Sequence, residues 1–217
     1  MKTAPGTDIN CPFRRKKLMT DLIIATFNSH KAGEIKKILP ELGFNIRTLS
    51  DFDGAEAPEE NGKTVRENAL IKARAAASFT GGLCLADDTA LEVRALGGAP
   101  GIYSARYAGT DHDAEANNLK LLGEMSGKSD RAARFLCCVA VVSPGGGEYL
   151  FEGELKGDIA FSPRGSGGFG YDPLFIVSGT GMTIAEIGEE KKNGISHRSR
   201  ALRAALPLLL KLSASAV

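Results

Sequence analysis

Two runs of apolar and alternating residues, Ala133–Val142 and Glu148–Ile159, flank Pro144-Gly145-Gly146-Gly147. Strand-forming segments on either side of a short Pro/Gly cluster predict a long β-hairpin in the middle of the chain. The rest must fold around it. Ahead of it, Leu22–Phe27 reads as a short buried strand, Lys31–Leu39 as a helix ended by Pro40 and Gly43, and Phe44–Leu49 as an alternating strand. Ser50–Asn61 is acidic and loop-like. Thr64 and Glu67 form a capping box that opens an Ala-rich helix to about Thr80, stopped by Gly81-Gly82.

Leu83–Ala86 predicts a strand that delivers Asp87-Asp88 at its C-terminal end. Gly97-Gly98-Ala99-Pro100-Gly101 predicts a tight irregular loop, and Ala114–Met125 a helix. After the hairpin come a Gly-rich loop, a strand Leu174–Val177, and a last helix from near Ser196 towards Leu212 that Pro207 should kink or end early. This order predicts an α/β fold in two lobes with a cleft between them.

At 217 residues, with 43% hydrophobic and 24% charged residues, the chain has ordinary globular composition and fits one domain or a fused pair of lobes. Its net charge of +1 is uneven. Residues 1–20 carry a net +4, from Lys2, Arg14, Arg15, Lys16 and Lys17 against Asp8, which leaves the remainder at −3. The expectation is a disordered N-terminal extension over residues 1–20, with Met19 as a candidate start, and a single two-lobed unit over residues 21–217; the rival reading gives Arg14–Lys17 a nucleic-acid or targeting role. A mildly acidic body argues against nucleic acid as a partner. Cys11, Cys84, Cys137 and Cys138 form no CxxC, and the three His are too scattered for a zinc set. No apolar run reaches the roughly 18 residues of a membrane span. A reducing, cytoplasmic setting is expected.

Four clusters carry candidate chemistry. Thr26-Phe27-Asn28-Ser29-His30-Lys31 joins a strand to a helix and offers hydroxyl, amide, ammonium and backbone N–H donors; it is either an anion site or a plain helix cap. It lacks P-loop glycines. Asp87-Asp88, followed by Thr89, is either a solvated turn pair or a site for an oxygen-liganded cation such as Mg²⁺, with Glu56, Glu59 and Glu60 near by in sequence as a source of a third ligand. Gly165-Ser166-Gly167-Gly168-Phe169-Gly170 matches GxGxxG, but Ser162-Pro163 precedes it and Tyr171-Asp172-Pro173 follows, so the strand-and-helix context of a dinucleotide site is missing. A loop presenting Phe169 to a flat ligand, with Asp172 orienting donors, fits better; a plain glycine turn is the bland alternative. Lys191–Arg198 supplies Lys192, His197 and Arg198 around a helix start at Ser196, or is simply a charged loop.

Taken in succession, T-x-N-x-x-K, A-D-D-T, G-A-P-G-I-Y-S-A-R-Y-A-G, G-G-F-G-Y-D-P and I-S-H-R resemble the inosine triphosphate pyrophosphatase family over about Leu22 to Leu206. The resemblance implies an elongated, bent mixed β-sheet flanked by helices, with the active site in the cleft between two lobes, and an enzyme, a homodimer with Mg²⁺, that converts deaminated purine nucleoside triphosphates (ITP, dITP, XTP) to the monophosphate and pyrophosphate. Thr26, Asn28 and Lys31, with the backbone of Phe27, Ser29 and His30 between them, would hold the triphosphate. Asp88 would bind Mg²⁺ and accept the proton of the attacking water, with Asp87 and Glu60 as further metal-site carboxylates. Thr89 would touch substrate. Phe169, Gly170, Tyr171 and Asp172 would line the base pocket, and Lys192, His197 and Arg198 would complete phosphate and purine recognition. Phe27 departs from the family, many of whose members carry Gly there. Two rivals remain: a pyrophosphatase for other modified nucleotides, and a nucleotide sensor that binds without turnover.

Overall fold

A computed structural model describes residues 20–39, 44–109 and 113–215. The reading of residues 1–19, Cys11 included, and the helix stop at Pro40 and Gly43 lie outside the described residues. The predicted hairpin is present as β5 (Ala132–Val142) and β6 (Glu148–Ile159), paired without a break from Ala132↔Asp158 to Val142↔Glu148. Among the described residues it belongs to a mixed, curled seven-stranded sheet, six of whose strands run in the order β2-β1-β3-β5-β6-β7 while the seventh pairs with β3 off that path. β1 (Thr20–Ile24), β2 (Phe44–Thr48) and β3 (Leu83–Val93) are mutually parallel, while β3, β5, β6 and β7 (Phe175–Val177) pair antiparallel.

Period-two alternation decides what each strand buries. Leu22 and Ile24, Leu83 and Leu85, and Cys137, Val139 and Val141 pack on one face under α1 (Ser29–Ile38) and α6 (His197–Ser215). Ile23, Cys84, Ala86, Cys138 and Ala140 pack on the other, under the alanine stripe Ala69, Ala73 and Ala76 of α2 (Val65–Thr80). Small residues on that stripe let the helix lie close to the sheet. Beyond the curl, Leu91, Val93, Phe135 and Leu155 meet Leu121 and Met125, from α3 (Ala114–Glu124) and its C-cap, and Leu174 and Phe175. Two short helices, α4 (Ile184–Ile187) and α5 (Glu189–Ile195), lead into α6.

Four local expectations change. Asp87-Asp88 does not end a strand: β3 continues to Val93, because its second half pairs with β5 from Asp87↔Val139 to Val93↔Ala133. The loop at Gly97–Gly101 contributes its own short strand, β4 (Pro100–Gly101), against Leu91 and Glu92. Pro207 does not end α6. It lies on the exposed face, where water can satisfy the carbonyl that loses its partner, while Ala201, Leu202, Ala205 and Leu209 hold the buried face on both sides of it. At α2, Thr64 Oγ1 accepts from Glu67 N at 3.2 Å, but the Glu67 carboxylate reaches Lys63 N at 2.6 Å, one residue earlier than a capping box requires.

Candidate active site

The alternation that builds the core also separates the acidic pair. Asp87 continues the Leu83–Leu85 face towards α1 and α6, and Asp88 the Cys84–Ala86 face towards α2. Asp87 Oδ2 accepts from Arg198 Nε at 3.1 Å and Nη2 at 3.0 Å, and Lys31 Nζ lies 3.2 Å away. Burial opposes ionisation of Asp87, yet Lys31 and Arg198 hold its carboxyl well below the usual carboxylate range. Asp88 Oδ1 accepts from Lys72 Nζ at 2.7 Å, and the same ammonium donates to Glu60 Oε2 at 3.0 Å. Burial raises the Asp88 pKa, against the pull of Lys72 and Lys31. Each carboxylate therefore has its own cation, and Asp87, expected beside Asp88 on one metal, is taken up by Arg198 and Lys31.

From Asp87 an alternating chain of charge crosses the site. Arg198 Nη1 also donates to Glu34 Oε2, and Glu34 Oε1 meets Lys192 Nζ at 2.5 Å. Lys192 donates to Asp172 Oδ2 at 2.6 Å, which also accepts the Phe169 N–H at 2.9 Å. Burial disfavours the Arg198 charge, but Asp87 and Glu34 more than restore it. His197 is the reverse case: burial, then Arg198 and Lys192, depress its pKa well below 6.5, and its ring stacks neutral on Phe135 at 4.6 Å. Gly153 on β6 makes this helix start possible. A Cβ there would lie 2.2 Å from His197 O and 2.5 Å from Ala201 N.

The N-terminal cluster is both cap and candidate anion site. Asn28 Oδ1 accepts Lys31 N at 3.1 Å, and Thr26 Oγ1 accepts Asn28 N at 3.1 Å. The first-turn amides of Ser29 and His30 keep no intrahelical partner. A cleft of about 360 Å³ is lined by Asn28, His30 and Lys31 from the start of α1, by Glu60, Lys72, Asp88 and Thr89, and by Phe169, Gly170, Tyr171, Asp172, Lys192, His197 and Arg198. Thr26, Phe27 and Ser29 do not line it, and the Phe27 side chain is 45% exposed. Thr89 Oγ1 bonds Asp87 Oδ2 at 3.3 Å, Gly170 O accepts from Asn118 Nδ2 at 3.0 Å, and Tyr171 Oη donates to Ser104 O at 2.9 Å, tying the Phe169 loop to the loop after β4.

Lys72 and Glu34 escape the sequence reading. Their signal is a charge inside a buried stripe: Glu34 lies beside Ile35 on the inner face of α1, and Lys72 lies between Asn68 and Ala76 on α2. Among the described residues, no three His, Cys, Asp or Glu side chains gather closely enough to hold a metal by themselves. Asp88 and Glu60 nevertheless converge on one cation, Lys72, and two carboxylates completed by water and phosphate oxygens are a fitting donor set for Mg²⁺.

Residues 22–208 match the model of the Ham1 family. A dITP/XTP pyrophosphatase of Geobacter sulfurreducens is 54% identical over 186 residues, covering 85% of this chain and 94% of the relative. The protein of the same name from Bacillus subtilis is 45% identical over 88% of this chain and 98% of its own length. The solved structure of the Staphylococcus aureus Ham1 protein superposes with a TM-score of 0.78 at 38% identity, covering 90% of this chain and 99% of that one. A nucleoside-triphosphatase / dITP/XTP pyrophosphatase from Mycobacterium abscessus gives 0.71 at 41% identity, over 86% and 99%.

Proposed function

The chain belongs to the Ham1 family, and on that premise we propose that it hydrolyses the triphosphates of deaminated purines, ITP, dITP and XTP, to the monophosphate and pyrophosphate. One observation carries the reading: β3 sends Asp88 to a lysine-bridged carboxylate pair in a cleft that also presents Phe169, and Asp87, behind the cleft wall, to Arg198, which lines the same cleft.

The triphosphate lies against the Ser29 and His30 amides and Lys31, at the positive end of α1. The base stacks on Phe169, with donors of Lys192, His197 and Arg198 along its edge. Asp88, whose proton affinity burial has raised, takes the proton of the water that attacks the α-phosphorus. Lys72 holds that carboxylate in place and offsets its charge before substrate arrives. Asp88 and Glu60 would hold Mg²⁺, which supplies charge neutralisation at the phosphates and the leaving pyrophosphate. Charge balance supports a dication. Among the residues described here, Lys31, Lys72, Lys192 and Arg198 face Glu34, Glu60, Asp87, Asp88 and Asp172, a cluster one negative charge in excess before a triphosphate of about four negative charges enters.

Selection for a 6-oxo purine follows from the donors. Arg198 spends Nε, Nη1 and both Nη2 hydrogens on Asp87, Glu34 and Thr89 and keeps one N–H, on Nη1. A donor aimed at O6 meets the adenine amino group unpaired, at a cost of about 1–3 kcal/mol, roughly ten- to a hundredfold. We further infer a homodimer with residues 21–217 as one two-lobed unit, acting in the cytoplasm on the free nucleotide pool. Pyrophosphate release from ITP, XTP, dITP, ATP and GTP tests the substrate. Release from the first three at least tenfold above ATP is expected; equal rates would refute 6-oxo selection, and ITP binding without release would make the chain a sensor.

A further inference from the structure

The imidazole of His30 stacks on Phe169, with ring centroids 5.3 Å apart and planes within 20°. A base entering between the two rings needs about 7 Å, twice the roughly 3.5 Å contact spacing of carbon atoms. One ring must therefore leave. Phe169 is pinned: its N–H is held by Asp172, which is held by Lys192, and the Lys192 ammonium sits 4.4 Å from the ring centroid. The neighbouring Gly168 leaves no slack, since a Cβ there would lie 2.1 Å from Asp172 Oδ2. His30, by contrast, is exposed on the first turn of α1 and swings on its own side-chain torsions.

We propose that His30 is a gate over the face of Phe169 on which the base stacks, an inference that rests on the nucleotide reading of this cleft. With the gate closed the face is taken, so apparent affinity for a base-bearing ligand falls by the fraction of time the gate stands open. An aromatic pair of this kind sets that factor at roughly two- to tenfold. The cost is the same for every base. His30 therefore tunes affinity for nucleotides without changing the ratio between them, and phosphate chains that carry no base do not sense it.

The test is inhibition of ITP turnover by IMP and by inorganic tripolyphosphate, in the full chain and in His30→Ala and His30→Phe variants. The expected result is an IMP inhibition constant two- to tenfold lower in His30→Ala and higher in His30→Phe, with tripolyphosphate unchanged in both. Overturning results are an IMP constant that is unchanged or higher in His30→Ala, or tripolyphosphate shifting in parallel, which would make His30 a phosphate contact. If IMP fails to compete in the unaltered protein while tripolyphosphate competes, the base-site reading itself falls and takes the gate with it.

Discussion

Arg198 and Asp87, 111 residues apart in sequence, meet at 3.0 Å with both side chains buried. The pair fixes the start of α6 to the middle of β3 and so sets the width of the cleft. Removing one partner of a buried pair leaves an uncompensated charge, at a cost of about 3–5 kcal/mol. Asp87→Ala should lower stability by about that amount in urea unfolding; a loss under about 1 kcal/mol would show that Glu34 alone satisfies Arg198.

Stability should fall between neutral pH and pH 5 because of His197. Its folded pKa lies below 6.5, so below that value the unfolded chain binds a proton that the folded protein does not. The stabilisation is present above pH 6.5 and is lost at up to about 1.4 kcal/mol per pH unit as the pH falls towards the folded value. Denaturation curves of the unaltered protein and His197→Phe at pH 7.5 and 5.5 check this; equal pH slopes in the two would contradict it.

Lys72→Met leaves Asp88 and Glu60 facing each other without their shared cation. Without that cation the Glu60 charge raises the Asp88 pKa further. The acid limb of the pH–rate profile should move to higher pH and kcat should drop by about a hundredfold, the scale of a misplaced acid–base group. An unmoved profile would remove Lys72 from the site.

Gly153→Ala drives a Cβ into the backbone of His197 and Ala201, whereas Gly145 in the hairpin turn has open space. The first should cost about 1–3 kcal/mol and reduce activity by displacing His197 and Arg198; the second should change neither. Thermal unfolding and ITP turnover, measured on both variants, decide it.

Much of the fold was legible because it rests on local signals. The hairpin declares itself in Pro144–Gly147, and the start of α6 in Ser196, whose Oγ accepts the Ser199 N–H at 3.2 Å. What failed was non-local. Asp87-Asp88 has the composition of a turn, and only pairing with β5 keeps it extended. That extension is what turns two neighbours in sequence into groups on opposite faces, which no motif reports. Glu34 and Lys72 were missed because their partners lie on other elements: Arg198 and Lys192 for Glu34, Asp88 and Glu60 for Lys72. Pro207 does not end α6 for a related reason, since the packing of α6 on the sheet outweighs one lost hydrogen bond.

On the proposed mechanism Asp88 is the proton acceptor in pyrophosphate release. Asp88→Asn keeps the size and the contact to Lys72 while removing the basic oxygen. With ITP and Mg²⁺, initial-rate pyrophosphate release should fall by about a thousandfold or more, with an unchanged unfolding midpoint showing that the fold survives. Turnover within tenfold of the unaltered protein would contradict the claim.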